Sequence, residues 1–283
     1  MKEEVPGDNI PTYQVDAFTD APFRGNPAAV CLLSREYEDT VMQNIAAEMN
    51  LSETAFVLSL DKKPFKGSRN FSLRWFTPKV EVPLCGHATL AAAAVLFSEI
   101  EIAAHEISFE TKSGILKAKR DDNGILLDFP ANAPEPVDPP TELLAAMGIT
   151  EFKEVLLAKK AKKLLVHLAD AGFVKNLKPN YAKMKNMKTE EDIMGVIATS
   201  LGSPPYDFIS RFFAPWVGIN EDPVTGAAHT VLAPYWSERL VKEEMIAFQA
   251  SERGGNLIVR YDPPDRVNLI GNAVIVLKGE LHL

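Results

Sequence analysis

Arg74-Trp75-Phe76-Thr77-Pro78, then Glu81-Val82-Pro83-Leu84-Cys85-Gly86-His87-Ala88, then an alanine-rich apolar run to Phe97: this stretch has an echo in the same chain. From Arg211 the sequence reads Arg-Phe-Phe-Ala-Pro, and from Glu221 it reads Glu-Asp-Pro-Val-Thr-Gly-Ala-Ala-His. Both copies run Arg, aromatic, Phe, any, Pro, and then Glu, any, Pro, two residues, Gly, any, Ala. Gly86 and Gly226 lie about half the 283-residue chain apart, which marks an internal duplication with one copy per half.

Each copy has a physical reading. Arg-aromatic-Phe is a short apolar strand, and the following Pro ends its ladder. Glu-x-Pro-x-x-Gly is a tight loop. Residues 88–100 are almost all helix formers, and 227–240 carry an apolar spacing that predicts a second helix. Pro234 falls inside that second run and predicts a kink or a break. A strand, a glycine turn and a helix start present several free backbone N–H groups at one point, which suits an anion. Two copies on a pseudo-dyad would aim two helix N-termini at one cleft. For one copy alone, a glycine that merely turns the chain is the simpler reading; the repeated spacing favours the cleft.

The chain length suits two domains of ordinary size. A hydrophobic content of 46% with 24% charged residues is that of a soluble globular protein. The net charge of −8 argues against nucleic acid or an anionic membrane surface as partner. The lysine cluster at 159–163 reads as a solvated helix end. Two cysteines, Cys31 and Cys85, make no disulfide framework and fit a reducing compartment. With neither a signal-peptide pattern nor an apolar run of membrane-spanning length, the expected location is cytoplasmic.

Taken in order, residues 1–8 are polar and read as loose. Strands are expected at 13–18 and 28–33 around a Pro/Gly/Asn loop, and an amphipathic helix at 39–49 with Val41, Ile45 and Met49 on one face and Asn50 at its end. Glu53 then stands where that helix gives way to a strand, a place where loops often carry chemistry. The first repeat is followed by strands at 106–111, 114–120 and 124–129, with Asp122-Asn123-Gly124 as a hairpin turn. Residues 130–140 hold five prolines and read as a linker. The second half reads as a helix at 141–147, strands at 154–158, 163–168 and 194–199, an ill-defined basic segment at 177–187, the second repeat, and strands at 247–250, 256–261, 267–271 and 273–278. The fold class is therefore α+β: two similar domains, each a long helix wrapped by a curved, mostly antiparallel sheet. The domains are placed at 1–129 and 130–269, with a last strand at 270–283 that returns to the first.

Asp16-Ala17-Phe18, Phe23-Arg24-Gly25-Asn26-Pro27-Ala28-Ala29-Val30, Asn50-Leu51-Ser52-Glu53-Thr54, the first Gly loop and Glu221-Asp222-Pro223-Val224-Thr225-Gly226 together resemble the PhzF-like family of phenazine biosynthesis-like proteins, over nearly the whole chain and closest to its animal branch. The resemblance implies a diaminopimelate-epimerase-like fold with a central cleft. It implies cofactor-free, metal-free isomerisation of a small carboxylic acid, as in the bacterial enzyme acting on trans-2,3-dihydro-3-hydroxyanthranilate. The family's general acid/base glutamate falls on Glu53, its histidine on His87 and its active-site aspartate on Asp222. The amides that hold the substrate carboxylate fall on Gly86, His87, Gly226 and Ala227. Ala227 stands where the bacterial enzyme has serine, so one hydroxyl contact is absent. A homodimer is the family-based expectation.

Moving a proton between two carbons needs a base that collects it and returns it elsewhere, and a carboxyl serves if burial raises its pKa from about 4.3 towards neutrality. Glu53 fits by type; a lone Glu in such a loop is otherwise a solvated surface residue. Asp222, before a proline and a helix start, also fits a simple cap. His87 at a helix N-terminus is expected neutral at pH 7, with a self-capping packed ring as its alternative. His229 ranks second to it. His105, His167 and His282 form no constellation, and neither histidine nor cysteine spacing suits zinc. Cys85 lies where a two-thiol racemase would carry one thiol, but its counterpart is Thr225. Three readings result: a Glu53 isomerase, a one-thiol racemase or epimerase using Cys85, and a non-catalytic protein that keeps the site for ligand sensing or binds partners through its surface.

Overall fold

A computed structural model describes residues 9–61, 63–189 and 192–283; the reading of residues 1–8 lies outside them. The chain divides into two units, Met1–Leu127 with Gly271–Leu283, and Asp128–Ile270.

In the first unit, β1 (Asn9–Ala17) and β2 (Asn26–Leu33) precede helix α1 (Asp39–Met49), which ends on Asn50 in the left-handed region at φ 48°. The buried face of α1 is Met42, Ile45 and Ala46, with Val41 and Met49 at its rim. Next come β3 (Glu53–Ser59), β4 (Asn70–Phe76), the two-residue β5 (Glu81–Val82) and helix α2 (Gly86–Ala94), continued by one π-helical stretch, Val95–Glu99. Residues 87–97 are all buried. A helix enclosed on every side cannot be amphipathic, and its alanines let surrounding strands approach closely. The hairpins β6 (Glu106–Thr111), β7 (Gly114–Asp121) and β8 (Gly124–Pro130) complete the run, with β7 and β8 turning at Asp122 and Asn123.

The second unit contains β9 (Glu135–Pro136), α3 (Thr141–Ala146), β10 (Glu154–Ala158), β11 (Lys163–His167), α4 (Ala171–Asn176), α5 (Tyr181–Lys185), β12 (Gly195–Leu201), β13 (Phe208–Ala214), β14 (Ile219–Asp222), the long helix α6 (Gly226–Leu240), β15 (Glu244–Gln249), β16 (Gly255–Asp262) and β17 (Arg266–Gly271). The last strand, β18 (Ala273–His282), pairs antiparallel with β1 from Asn9↔His282 to Ala17↔Ala273. The segment read as ill-defined contains α5, and α4 precedes it; each is capped by a side chain, Asp170 on Gly172 and Phe173, Asn180 on Lys183. Residues 159–162 of the lysine cluster form the hairpin turn between β10 and β11 and Lys163 opens β11, so the cluster is not a helix end.

The duplication extends to strand order. The first unit runs β18-β1-β2-β3-β4-β6-β7-β8, the second β9-β10-β11-β12-β13-β15-β16-β17. In both, the third and fourth strands are parallel, the fifth and sixth are parallel, and the remaining neighbours are antiparallel. The fold is thus α+β with a mostly antiparallel sheet in each half.

Pro234 neither ends nor splits α6. A proline removes the N–H that would bond the carbonyl four residues back, here Thr230. Asn132 fills the gap: its backbone N–H donates to Thr230 O at 3.0 Å, and its Nδ2 donates to Thr230 Oγ1 at 3.0 Å. Among the described residues, no helix is long and apolar enough to cross a membrane.

Candidate active site

The parallel pair β2/β3 sets the first half of the site. Asn26 opens β2 and Glu53 opens β3, with Glu53 beside Ala28. Both side chains are buried. Gly25 makes the entry to β2 possible: at φ +64° a Cβ there would sit 2.1 Å from Ala17 O, a backbone clash that no side-chain shift relieves. His87 is the second residue of α2. Its Nε2 lies 3.1 Å from Glu53 Oε2. The contact is not aligned as a hydrogen bond, so Nε2 is a buried polar atom whose hydrogen bond is still to be made. On the other side of the ring, Nδ1 is 3.2 Å from Asn26 Nδ2 and 3.5 Å from Cys85 Sγ. In the neutral ring Nδ1 accepts from the amide and the proton sits on Nε2, facing Glu53; the charged ring carries both protons and turns Nδ1–H to the amide oxygen.

Electrostatics reverse one expectation. Burial works against charge on His87, but the Glu53 carboxylate opposes it and holds the ring pKa above the usual histidine value. The sequence reading of a neutral ring considered only the helix dipole; a carboxylate at 3.1 Å is the stronger influence. Burial, then Glu53, push the Cys85 thiol up, so it is a poor thiolate. Burial likewise pushes Cys31 up to about 12. Glu53, Cys85 and His87 place ligand atoms within 4.8 Å of one another. Sulfur and carboxylate, however, face opposite nitrogens of one ring, whose lone pairs diverge, so one ion cannot take all three.

In the second unit Asp222 closes β14, and Gly226 and Ala227 open α6. Here the loop is closed by hydrogen bonds of its own and by Gln249. Thr225 Oγ1 donates to Asp222 Oδ2 at 2.5 Å. Gln249 accepts Thr225 N–H at 2.9 Å on Oε1 and donates through Nε2 to Asp222 O at 2.7 Å. His229, ranked second from sequence, turns into the core: Nδ1–H donates to Thr225 O at 2.8 Å, and burial lowers its pKa to about 4. That is a structural role.

Both loops leave from the same clamp. Arg74 Nε and Nη2 each donate to Glu81 at 2.8 Å, and Arg211 Nε and Nη2 each donate to Glu221 at 2.7 Å. Bidentate pairs of this kind fix geometry as well as charge. Arg211 also donates through Nη1 to the carbonyls of Val174 and Leu177 at 3.3 and 2.8 Å, which ties α4 to β13.

The structure therefore brings Glu53, Gly86 and His87 together in one unit, and Asp222, Gly226 and Ala227 in the other. Sequence reasoning gave no role to Asn26 or Gln249. Asn26 sat inside the quoted Gly-Asn-Pro motif; Gln249 had no local signal, because its partners lie 24 to 27 residues away.

A long buried helix inside a curved sheet, twice over, with a buried acid–imidazole pair at the start of one helix, defines the class of epimerase-like α+β proteins. The chain belongs to the family of phenazine biosynthesis-like proteins (PhzC-PhzF), whose profile matches residues 15–279. It is 50% identical to phenazine biosynthesis-like domain-containing protein 1 of Mus musculus, over 96% of this chain and 99% of the mouse protein. It is 47% identical to an uncharacterized isomerase of Halalkalibacterium halodurans, over 96% and 98%. Its fold matches the crystal structure of a PhzF-family protein from Enterococcus faecalis with a TM-score of 0.89 at 40% identity, covering 98% of this chain and all of the other. A predicted epimerase from Pseudomonas aeruginosa, 21% identical, shares the fold at a TM-score of 0.69 over 96% of this chain and 99% of its own.

Proposed function

We propose that this protein is a cofactor-independent isomerase that moves a proton on a small carboxylic acid, with Glu53 as general acid/base. The observation that carries the proposal is the Glu53–His87 contact of 3.1 Å, buried at the point where β3 and α2 both begin. Glu53 takes a proton from one carbon of the substrate and returns it to another. His87 touches Glu53 through Nε2 and is steadied through Nδ1 by Asn26, so it orients the carboxyl. Gly86 and His87, at the start of α2, offer backbone N–H groups to the acid group of the substrate, because first-turn amides have no intrahelical partner. Gly226 and Ala227 offer the same at the start of α6, where Asp222 is braced by Thr225. The relatives named as isomerases support the reaction class. Neither ring type nor stereochemistry of the substrate is part of the proposal.

The test is untargeted. Purified protein is incubated with the small-acid fraction of a cell extract in deuterated water, and carbon-bound deuterium is read by mass spectrometry. A labelled acid is expected; no label in any acid contradicts the reading. A cytoplasmic homodimer belongs to the same proposal, and sedimentation of the purified protein as a monomer would remove that part.

One observation favours a second reading, a one-thiol racemase: Cys85 Sγ lies 3.5 Å from His87 Nδ1. Loss of exchange in Cys85→Ala would support it, and full activity would end it. A non-catalytic ligand-binding protein is the remaining alternative, and the same extract experiment separates it.

A further inference from the structure

Superimposing the two strand orders aligns positions as well as elements. Arg74, Trp75 and Phe76 correspond to Arg211, Phe212 and Phe213. Register across β3/β4 and β12/β13 then equates Thr54 with Val196, and so Glu53 with Gly195. The parallel neighbours follow: Ala28 beside Glu53, Lys163 beside Gly195. The second unit therefore has no carboxyl at the Glu53 position. A Cβ on Gly195 would meet Phe212 Cζ at 2.3 Å, because that ring fills the space. One strand over, where the first unit has a buried alanine, the second has Lys163.

Lys163 is unlike the rest of its cluster. Its residues at 165 and 167 alternate onto the α6 side, where His167 Nδ1 meets Tyr235 Oη at 2.7 Å and its ring meets Trp236. Lys163 shares that side. Its Nζ lies 5.8 Å from the centre of the Phe212 ring, and Phe212 pairs across the ladder with Asp222, the last residue of β14. Burial pulls the Lys163 pKa down, and Asp222 is the charge that pulls it back up. Among the described residues, its hydrogen-bond partner is one backbone carbonyl, Ala161 O at 3.1 Å, which leaves two N–H donors. The other cation of this loop, Arg211, is already spent on Glu221 and on carbonyls. Helix starts supply only partial positive charge to an anion.

We propose that Lys163 is a substrate-binding, specificity-determining residue whose ammonium takes an oxygen of the substrate's acid group beside Asp222. This rests on the isomerase reading and deepens it, since it gives the second unit a side-chain cation for a carboxylate.

Benzoate serves as a carboxylate probe in a binding test that needs no turnover. Amide signals of Gly226 and Ala227 are followed by NMR during titration of wild type, Lys163→Met and Lys163→Arg, with thermal unfolding confirming that each variant is folded. Expected are saturable shifts in wild type, binding weakened about tenfold or more in Lys163→Met, and substantial recovery in Lys163→Arg. Wild-type affinity in Lys163→Met, or no saturable shift in wild type, overturns the assignment. If the benzoate pattern holds while Glu53→Gln still exchanges deuterium, Lys163 stands as the carboxylate reader and the isomerase reading alone fails.

Discussion

The two glycine loops start from the same clamp and serve different ends. Before α2, the loop delivers Cys85 and His87 against Glu53, three ionisable groups whose ligand atoms lie within 4.8 Å of one another. Before α6, the equivalent positions are Thr225 and Ala227, and the side chains around them, Asp222 and Gln249, close hydrogen bonds among themselves. A duplicated scaffold that keeps Arg74–Glu81 and Arg211–Glu221 in the same geometry has conserved the mount and divided the chemistry. One copy offers a buried carboxyl beside an imidazole that still has a hydrogen bond to make. The other offers a loop closed by hydrogen bonds. The division shows why one copy's residues cannot be read from the other's by motif alone.

The comparison can be broken most sharply at His87. His87→Asn should lower deuterium exchange by about a hundredfold or more, within the range of a lost acid/base partner, while leaving benzoate shifts at Gly226 and Ala227 in place. Equal damage to both loops would mean that the division is wrong. Next in size is Gly25→Ala: the clash with Ala17 O, on top of a left-handed backbone, should cost about 3 kcal/mol or more in denaturant unfolding. A change under about 1 kcal/mol would show that Asn26 reaches His87 without the glycine turn.

The two histidines should titrate in opposite senses. His87 should hold its proton above pH 6.5 by NMR, because Glu53 favours the charged ring. His229 has a folded pKa near 4 against an ordinary 6.5, so the unfolded chain binds more protons between those values. Its contribution to stability is intact above pH 6.5 and is lost as pH falls towards 4, by about 3 kcal/mol at most. His229→Asn should flatten that acid limb; an unchanged limb would place the titration elsewhere. Smaller again is Thr225→Ala, which removes the hydroxyl's hydrogen bond to Asp222 and should cost about 1 kcal/mol in thermal unfolding with exchange retained. Smallest is Cys85→Ala, expected to leave exchange near wild type because the buried thiol is held protonated.

Much of this architecture was legible in the residues. The repeated Arg-aromatic-Phe and Glu-x-Pro-x-x-Gly segments announced two similar halves, and α1, β6 and β10 begin and end where periodicity and turn residues put them. Glu53 and His87 were singled out, and they meet. What escaped was set by partners distant in sequence. Pro234 predicts a break because proline rules are local; the donor that repairs the helix comes from Asn132, nearly a hundred residues earlier. The upward pull on the His87 pKa comes from a carboxylate on another element, which a dipole argument does not see. Lys163 was read as part of a solvated run, and only strand pairing reveals that its alternation turns it towards α6. Short helices α4 and α5 hold through single caps and packing rather than through any periodic stretch.

The central claim is that Glu53 carries the proton. Its most direct test is deuterium uptake from solvent by Glu53→Gln, measured beside wild type on the small-acid fraction of a cell extract, with folding verified by thermal unfolding. The account predicts that the acid labelled by wild type stays unlabelled with the variant. Labelling at the wild-type rate would contradict it.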